Sequence, residues 1–596
     1  MAKRRIQVTI VPHTHWDRAW NAPSTEYLPR VTQLMDRLLD LLERNPSYSA
    51  FVLDGQTLPL ETYLHVRPNA RERVVPLVEA RRLLIGPGYV LPDEFLASAE
   101  SLVRNLLIGT RSAKALGHVM RVGYSPDPFG HVGQMPQILR GFGLDSFVFS
   151  RGVDRGASPL KNEFVWEGPD GSTVLAVWQR DFYLNACSLG YRFAWADRGA
   201  ADLEPDLAVK RAKASIESLL PHNVSRTILL NNGTDYSEAQ EDLVEILRLL
   251  QKELPEYQFR IGSLEDHIRR VRQDLKHKRL QRTKGELLYP FKDLLRGVNS
   301  TRMPLKQAQH EASMLLERYA EPLSTYAWLT SANGHDHYPA LLDYAWRDLL
   351  ETQPHDDIGG CSVDEVARED LARLEQVRGL ARHIARESLR AVGRQVDTSK
   401  NKGVGLLVFN PVSWTRSDLC RAELHIPMTE ANAWQTFTLR DLQGGVVPYL
   451  ELGRQEKRWM EVRRGFHVGG WTKEAASASP ALISFSLPSR RLDEGSRLQV
   501  GGWTKEAASG SAAGRRKPPP GRAPMRLSHC VCRTWVSEEG ATRSAAGRRK
   551  PPPQSAPKQR LVKHVRQSVG QGVATPCRGG GLQAALPITC ARKRTG

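Results

Sequence analysis

From residue 6 to about residue 285, short apolar runs alternate with stretches whose apolar residues recur at helical spacing. That alternation constrains the fold more than any other feature, because strands separated by helices pair in parallel and are covered by the helices between them. The strands read in this way are 6–12 (IQVTIVP), 50–54, 83–86, 120–124, 145–150, 173–178 and 226–231. Between the first two, Leu28, Val31, Leu34, Met35, Leu38 and Leu42 share one helical face, which is core packing. From about 295 the pattern becomes wholly helical, over 303–330, 339–353 and 363–392, and a three-helix bundle is the simplest reading. The last helix is expected to open on a capping box of Ser362 and Glu365. From 404, GVGLLVFNPVSWTRSDLCRAELHIP alternates in the β manner. The expected organisation is an α/β catalytic domain over 1–290, a helical middle domain over 291–395, an incomplete β domain over 400–485 and a tail over 486–596.

The tail decides how the charge is read. The net charge of +19 would suggest an anionic partner, but residues 501–596 carry 19 Lys and Arg against 3 Asp and Glu, a net of +16, which leaves +3 for the rest. VGGWTKEAAS occurs at 468–477 and 500–509, and SAAGRRKPPP at 511–520 and 544–553. Such segments carry too few large apolar residues to offset chain entropy, so the tail is expected to be disordered. It lacks the aromatic interleaving of a nucleic-acid arm, and no nucleic-acid partner is expected. Cys187, Cys361 and Cys420 are scattered, and SHCVC at 528–532 has the wrong spacing for a zinc ribbon, which points to a reducing compartment. No run reaches the ~18 apolar residues of a membrane span. The apolar stretch after MAKRR is too short for a signal core, so a cytoplasmic enzyme is expected, and an oligomer is compatible with the chain.

The chemistry gathers at the strand ends. In HTHWD, His15 and Asp17 stand two apart, so an extended backbone points both to one side. The fourth strand runs into SPDPFGH with Asp127, the fifth ends at Arg151, and the seventh runs into NNGTD with Asp235. In α/β barrels such residues converge on one mouth. QPHDDIGGCSVDEV, at 353–366, adds His355, Asp356 and Asp357 between two helices. Beside His15, Asp17 and Asp127, His355 completes four N/O donors, the number for a zinc-like divalent site with an open position.

HTHWD, SPDPFGH, PHDDIGGCSVDEV, IGPGYVLPDEFLASAESLVRNLLIG and GVNSTRMPLKQ together resemble glycoside hydrolase family 38, the α-mannosidases, in its bacterial form, from about residue 6 to about 465. The resemblance implies a seven-stranded β/α barrel, a three-helix middle domain and β-sandwich domains, with one zinc ion at the barrel mouth, although another divalent ion could serve. It implies His15, Asp17, Asp127 and His355 as metal ligands, Asp127 also as nucleophile, and Trp20, Arg151 and Asp356 around the sugar. A retaining glycosidase needs a second carboxyl as acid/base. Asp235 is the first choice, and Asp293 in YPFKDLLRG is its rival. Trp16 offers a second candidate platform for the sugar, and NGHDH at 333–337 is rejected because it lies in a helix-connecting loop. The family's β region fades after FNPVSWTRSDL, so the chain reads as C-terminally truncated or aberrant. The expected activity is hydrolysis of terminal α-mannosides through a glycosyl-aspartate. The alternatives are a metal-dependent carbohydrate deacetylase and an inactive truncated relative.

Overall fold

The computed structural model describes residues 5–191, 203–289, 295–331, 338–399, 404–415, 417–424, 438–452 and 587–591. Among the described residues, the first part of the chain holds ten strands: β1 (Ile6–Thr14), β2 (Phe51–Leu53), β3 (Leu83–Leu84), β4 (Gly123–Ser125), β5 (Ser146–Phe149), β6 (Glu163–Glu167), β7 (Thr173–Trp178), β8 (Thr227–Asn232), β9 (Tyr257–Ile261) and β10 (Arg282–Lys284). The seven strands expected from the sequence are all among them, within a few residues. The additional ones are β6, which pairs antiparallel with β7, and β9 and β10, which add to β1 and β6.

The ladders form two sheets, β3-β2-β1-β8 with β9 beside β1, and β10-β6-β7-β5-β4. The backbone ladder is therefore not continuous from strand to strand around the seven. Their side chains nevertheless meet: Val11, Val52, Leu84, Tyr124, Val148, Val177 and Leu229, one from each of the seven parallel strands, are buried in a single cluster. Pleating sends alternate residues inward, so each strand contributes a β-branched or large apolar side chain to the shared interior. The helix Ser24–Arg44 packs outside it, burying Val31, Leu34, Met35, Leu38 and Leu42 as the periodicity requires.

Beyond residue 295, Met303–Leu315 continues through one π-helical turn, Leu316–Ala320, into Glu321–Thr330. Pro339–Leu350 and Asp364–Arg394 pack alongside, and a short helix, His355–Gly359, lies between them. The expected capping box is absent. Val363 is the N-cap, and the Ser362 hydroxyl donates instead to Asp356 O at 2.6 Å. A competing local bond to the preceding turn takes the hydroxyl from the cap. Arg18 enters this region, with Nη1 3.1 Å from Asp357 Oδ1 and 3.8 Å from Asp370 Oδ1, and Nε 3.6 Å from Glu351 Oε2.

Four short strands, β11 (Gly405–Leu407), β12 (Thr438–Arg440), β13 (Val446–Val447) and β14 (Pro587–Ala591), pair antiparallel in the order β11-β14-β12-β13. β14 lies within the span for which disorder is expected from the sequence, and the rest of that span lies outside the described residues. Leu419, Leu450 and Leu452 in this region are 99%, 80% and 67% exposed. The repeats, NGHDH and Asp293 lie outside the described residues.

Candidate active site

The site begins where β1 and β8 end. Past their ladder, His15 forms one further parallel bridge to Asp235, with His15 N donating to Thr234 O at 3.1 Å and Tyr236 N to His15 O at 2.8 Å. Gly233 permits this approach, since a Cβ there would stand 2.0 Å from His13 O. HTHWD and NNGTD are thus held side by side. The helical region is tied in by backbone pairing of Pro92 with Pro354, in which Asp93 N donates to Gln353 O and His355 N to Leu91 O.

These contacts bring His15, Asp17, Asp127 and His355 together, none more than 8% exposed. His15 Nε2 lies 3.0 Å from Asp17 Oδ1 and 3.9 Å from Asp127 Oδ2. His355 Nε2 lies 3.4 and 3.3 Å from the same two oxygens. The two imidazoles stack at 5.5 Å between centroids. Yet His15 Nε2, Asp17 Oδ1 and His355 Nε2 are buried and make no hydrogen bond. Buried polar atoms without partners are rare. Here they face one another, as donors around a cation do, and two imidazoles with two carboxylates form a set that suits zinc or a similar ion. His15, Asp127 and His355 form one such group, and Asp17, His355 and Asp356 form an overlapping second.

The electrostatics agree with that reading. Burial opposes protonation of His15, but Asp17 and Asp54 outweigh it and raise its pKa well above the usual value. His355 is pushed up to about 10 against its own burial, by Asp356, Asp127 and Asp17. Burial would raise Asp127, but His355 and Arg151 hold it well below the ordinary carboxylate range. Carboxylates this deep require positive charge beside them.

Arg151 donates to Asp127 Oδ1 from Nε and Nη2, and its guanidinium stands 4.8 Å from the Phe182 ring centroid and 5.5 Å from that of Phe129. Asp235 is half-buried beside the cluster and accepts a hydrogen bond from Tyr183 OH at 2.8 Å. Its pKa is raised, chiefly by burial and further by the charges of Asp17 and Asp127. Asp356 accepts from Cys361 Sγ at 2.9 Å and is pushed up to about 6 by burial. Trp20 is half-buried, and its carbonyl accepts from Val363 N. Trp16 is a packing residue, 5% exposed and edge-on to Tyr27 and Tyr236. His13, whose Nε2 is 2.7 Å from Tyr183 O, supports that segment from behind.

Several participants escaped the sequence reading. Tyr236 OH donates to Asp17 Oδ2 at 3.1 Å, Phe129 stands edge-on to His355, and Tyr183 lies 5.1 Å from His15 between ring centroids. Asp54, at the end of β2, lies 2.9 Å from His15 Nδ1. Asp54 and Tyr183 both follow strands, the same signal that exposed Asp127.

Fold and cluster together define a β/α protein with a buried cluster of histidines and carboxylates at the carboxyl ends of parallel strands, joined by a histidine from a helical region. Residues 5–288 match the glycosyl hydrolases family 38 N-terminal domain and residues 293–392 the alpha mannosidase middle domain, and the chain belongs to glycoside hydrolase family 38. It is 33% identical over 404 residues to a protein of Halalkalibacterium halodurans named "Putative mannosylglycerate hydrolase", a match covering 65% of this chain and 43% of that one. It is 26% identical to alpha-mannosidase 2C1 of Homo sapiens over 68% of this chain and 36% of that one. The crystal structure of an alpha-mannosidase from Enterococcus faecalis V583 superposes with a TM-score of 0.66 at 32% identity, over 74% of this chain and 51% of that chain. The chain spans less than half the length of these two curated relatives.

Proposed function

We propose that the chain is a metal-dependent retaining α-mannosidase, with Asp127 as nucleophile and Asp235 as acid/base. The observation that carries this reading is the division of labour between two carboxyls beside one buried cluster: Asp127 is kept ionised by Arg151 and the histidines, while Asp235 is biased towards its protonated form. His15, Asp17, Asp127 and His355 would hold a divalent ion, zinc by donor type, which when bound supplies Lewis-acid attraction for sugar hydroxyls.

The chain's own groups account for the rest. Asp127 attacks the anomeric carbon while Asp235 gives its proton to the departing glycosidic oxygen, leaving a glycosyl-aspartate. Asp235, now a carboxylate, takes a proton from water as that water attacks the anomeric carbon and frees Asp127. Arg151 limits the swing of Asp127, and Trp20 offers a partly exposed aromatic face to the sugar. The family 38 relatives with mannosidase names support mannose as the glycone. The relative named for mannosylglycerate favours a small mannosyl compound over a large glycan. The catalytic domain is proposed to span residues 1–290 and the helical domain 291–395, and the protein to work in the cytoplasm.

The test is hydrolysis of an aryl α-mannoside and of mannosylglycerate by the zinc-loaded chain, compared with Asp127→Asn. Turnover should vanish in the variant while bound metal largely remains. Acetate release from an acetylated sugar, with no free mannose, would favour the deacetylase chemistry instead.

A further inference from the structure

Asp54 belongs to none of the motifs that pointed to the site, yet it is the most deeply buried carboxylate near it, with no exposed surface. It ends β2 with φ of +51°, a conformation non-glycine residues seldom adopt, and Asn and Asp tolerate it best. Three nitrogens converge on its Oδ2: Trp16 N donates at 2.8 Å, Gln56 Nε2 donates at 2.9 Å, and His15 Nδ1 lies in ion-pair contact 2.9 Å away, without hydrogen-bond geometry. Gln56 Nε2 also donates to Trp16 O at 2.7 Å, so the carboxylate, the amide and the HTHWD backbone lock one another.

We infer that Asp54 is a positioning residue that holds the His15 imidazole with its proton on Nδ1, so that the Nε2 lone pair faces Asp17, Asp127 and His355. The inference rests on the metal-site reading above. A neutral imidazole carries one proton, and a carboxylate at Nδ1 keeps it there and makes Nε2 a stronger donor. His355 is arranged in parallel by a different device. Its Nδ1 lies 3.0 Å from Leu91 O, a backbone carbonyl, and its Nε2 faces the same two carboxylates. One histidine is set by a charge and the other by a neutral dipole, so removing the charge should weaken the site without dismantling it.

The conservative replacement is Asp54→Asn, which retains an oxygen for Trp16 N and Gln56 and suits the left-handed backbone. Zinc affinity is measured by competition with a chromophoric chelator, alongside the thermal midpoint of the metal-free proteins. The expected result is about 10- to 100-fold weaker zinc binding, a faster metal off-rate and a metal-free midpoint close to wild type. Equal zinc affinity in the two proteins overturns the inference while leaving the metal site standing. Failure of the wild-type chain to bind any divalent ion overturns the metal-site reading itself. Nitrogen-15 histidine spectra of the zinc-loaded wild type give a check that needs no variant to fold. A proton on His15 Nδ1 is expected, and a proton on Nε2 overturns the proposal.

Discussion

Arg151 donates two hydrogen bonds to one oxygen of Asp127, from Nε at 2.9 Å and from Nη2 at 2.6 Å, while the other oxygen faces His15 and His355. The carboxylate is therefore divided, one oxygen held by the guanidinium and the other turned towards the buried cluster.

Arg151→Met should lower kcat on an aryl α-mannoside by about 10²- to 10³-fold, the usual loss when an oriented charged donor is removed. Metal content should stay near wild type, because neither imidazole is disturbed. Atomic absorption beside steady-state kinetics separates the two effects, and parallel loss of metal and activity would count against a role confined to Asp127.

Asp235→Asn removes the proton donor and should slow hydrolysis of poor leaving groups by about 10²- to 10⁴-fold. Activated dinitrophenyl mannosides, which depart without protonation, should suffer much less in the first step. If Asp235→Asn keeps full activity and Asp293→Asn loses it, the acid is Asp293.

Arg18 is 10% exposed at its side chain and faces Asp357 and Asp370, which are almost wholly buried. Burial raises the pKa of both carboxyls, Asp370 to about 7, and Arg18 opposes that rise. Arg18→Met leaves the two acids without their shared cation and should destabilise the fold by about 3–5 kcal/mol, read by urea unfolding. Adding Asp370→Leu should recover part of that loss.

His267, inside the helix Leu264–Leu275, is 1% exposed, and burial with Arg270 nearby pushes its pKa down to about 3. It is neutral when folded, whereas in the unfolded chain it titrates near its ordinary value of about 6.5. Its neutral form therefore supports the fold fully above pH ~6.5, and that support is lost as the pH falls towards 3, with a slope of up to about 1.4 kcal/mol per unit. His267→Leu should show a shallower decline in unfolding free energy over that window, and an unchanged slope would discard the assignment.

The parts of the fold legible in sequence were those with one dominant driving force. Apolar runs such as TVLAVW and TILLNN must be buried, and they form β7 and β8. β10, RTK, is polar and held by pairing with β6 rather than by burial, so no hydrophobic pattern announces it. Within the site, His15, Asp17, Asp127 and His355 stand in dense polar motifs, and the fold brings them within a few ångströms. Asp54 and Tyr183 act through a neighbour, and such a role exists only once the neighbour's position is known. Ser362 had the right residue type and spacing for a cap, but a carbonyl of the preceding turn took its hydroxyl.

His355 reaches the cluster from the helical region, fixed by the pairing of Pro354 with Pro92, while the other three members come from strand ends. The two regions are therefore a single inheritance. A gene fragment that kept every strand but dropped the helices would encode a pocket one donor short, and no drift within the strands could restore it without inventing a new histidine. On the metal-site reading proposed above, capture of an ion would register that both pieces have been made and have met.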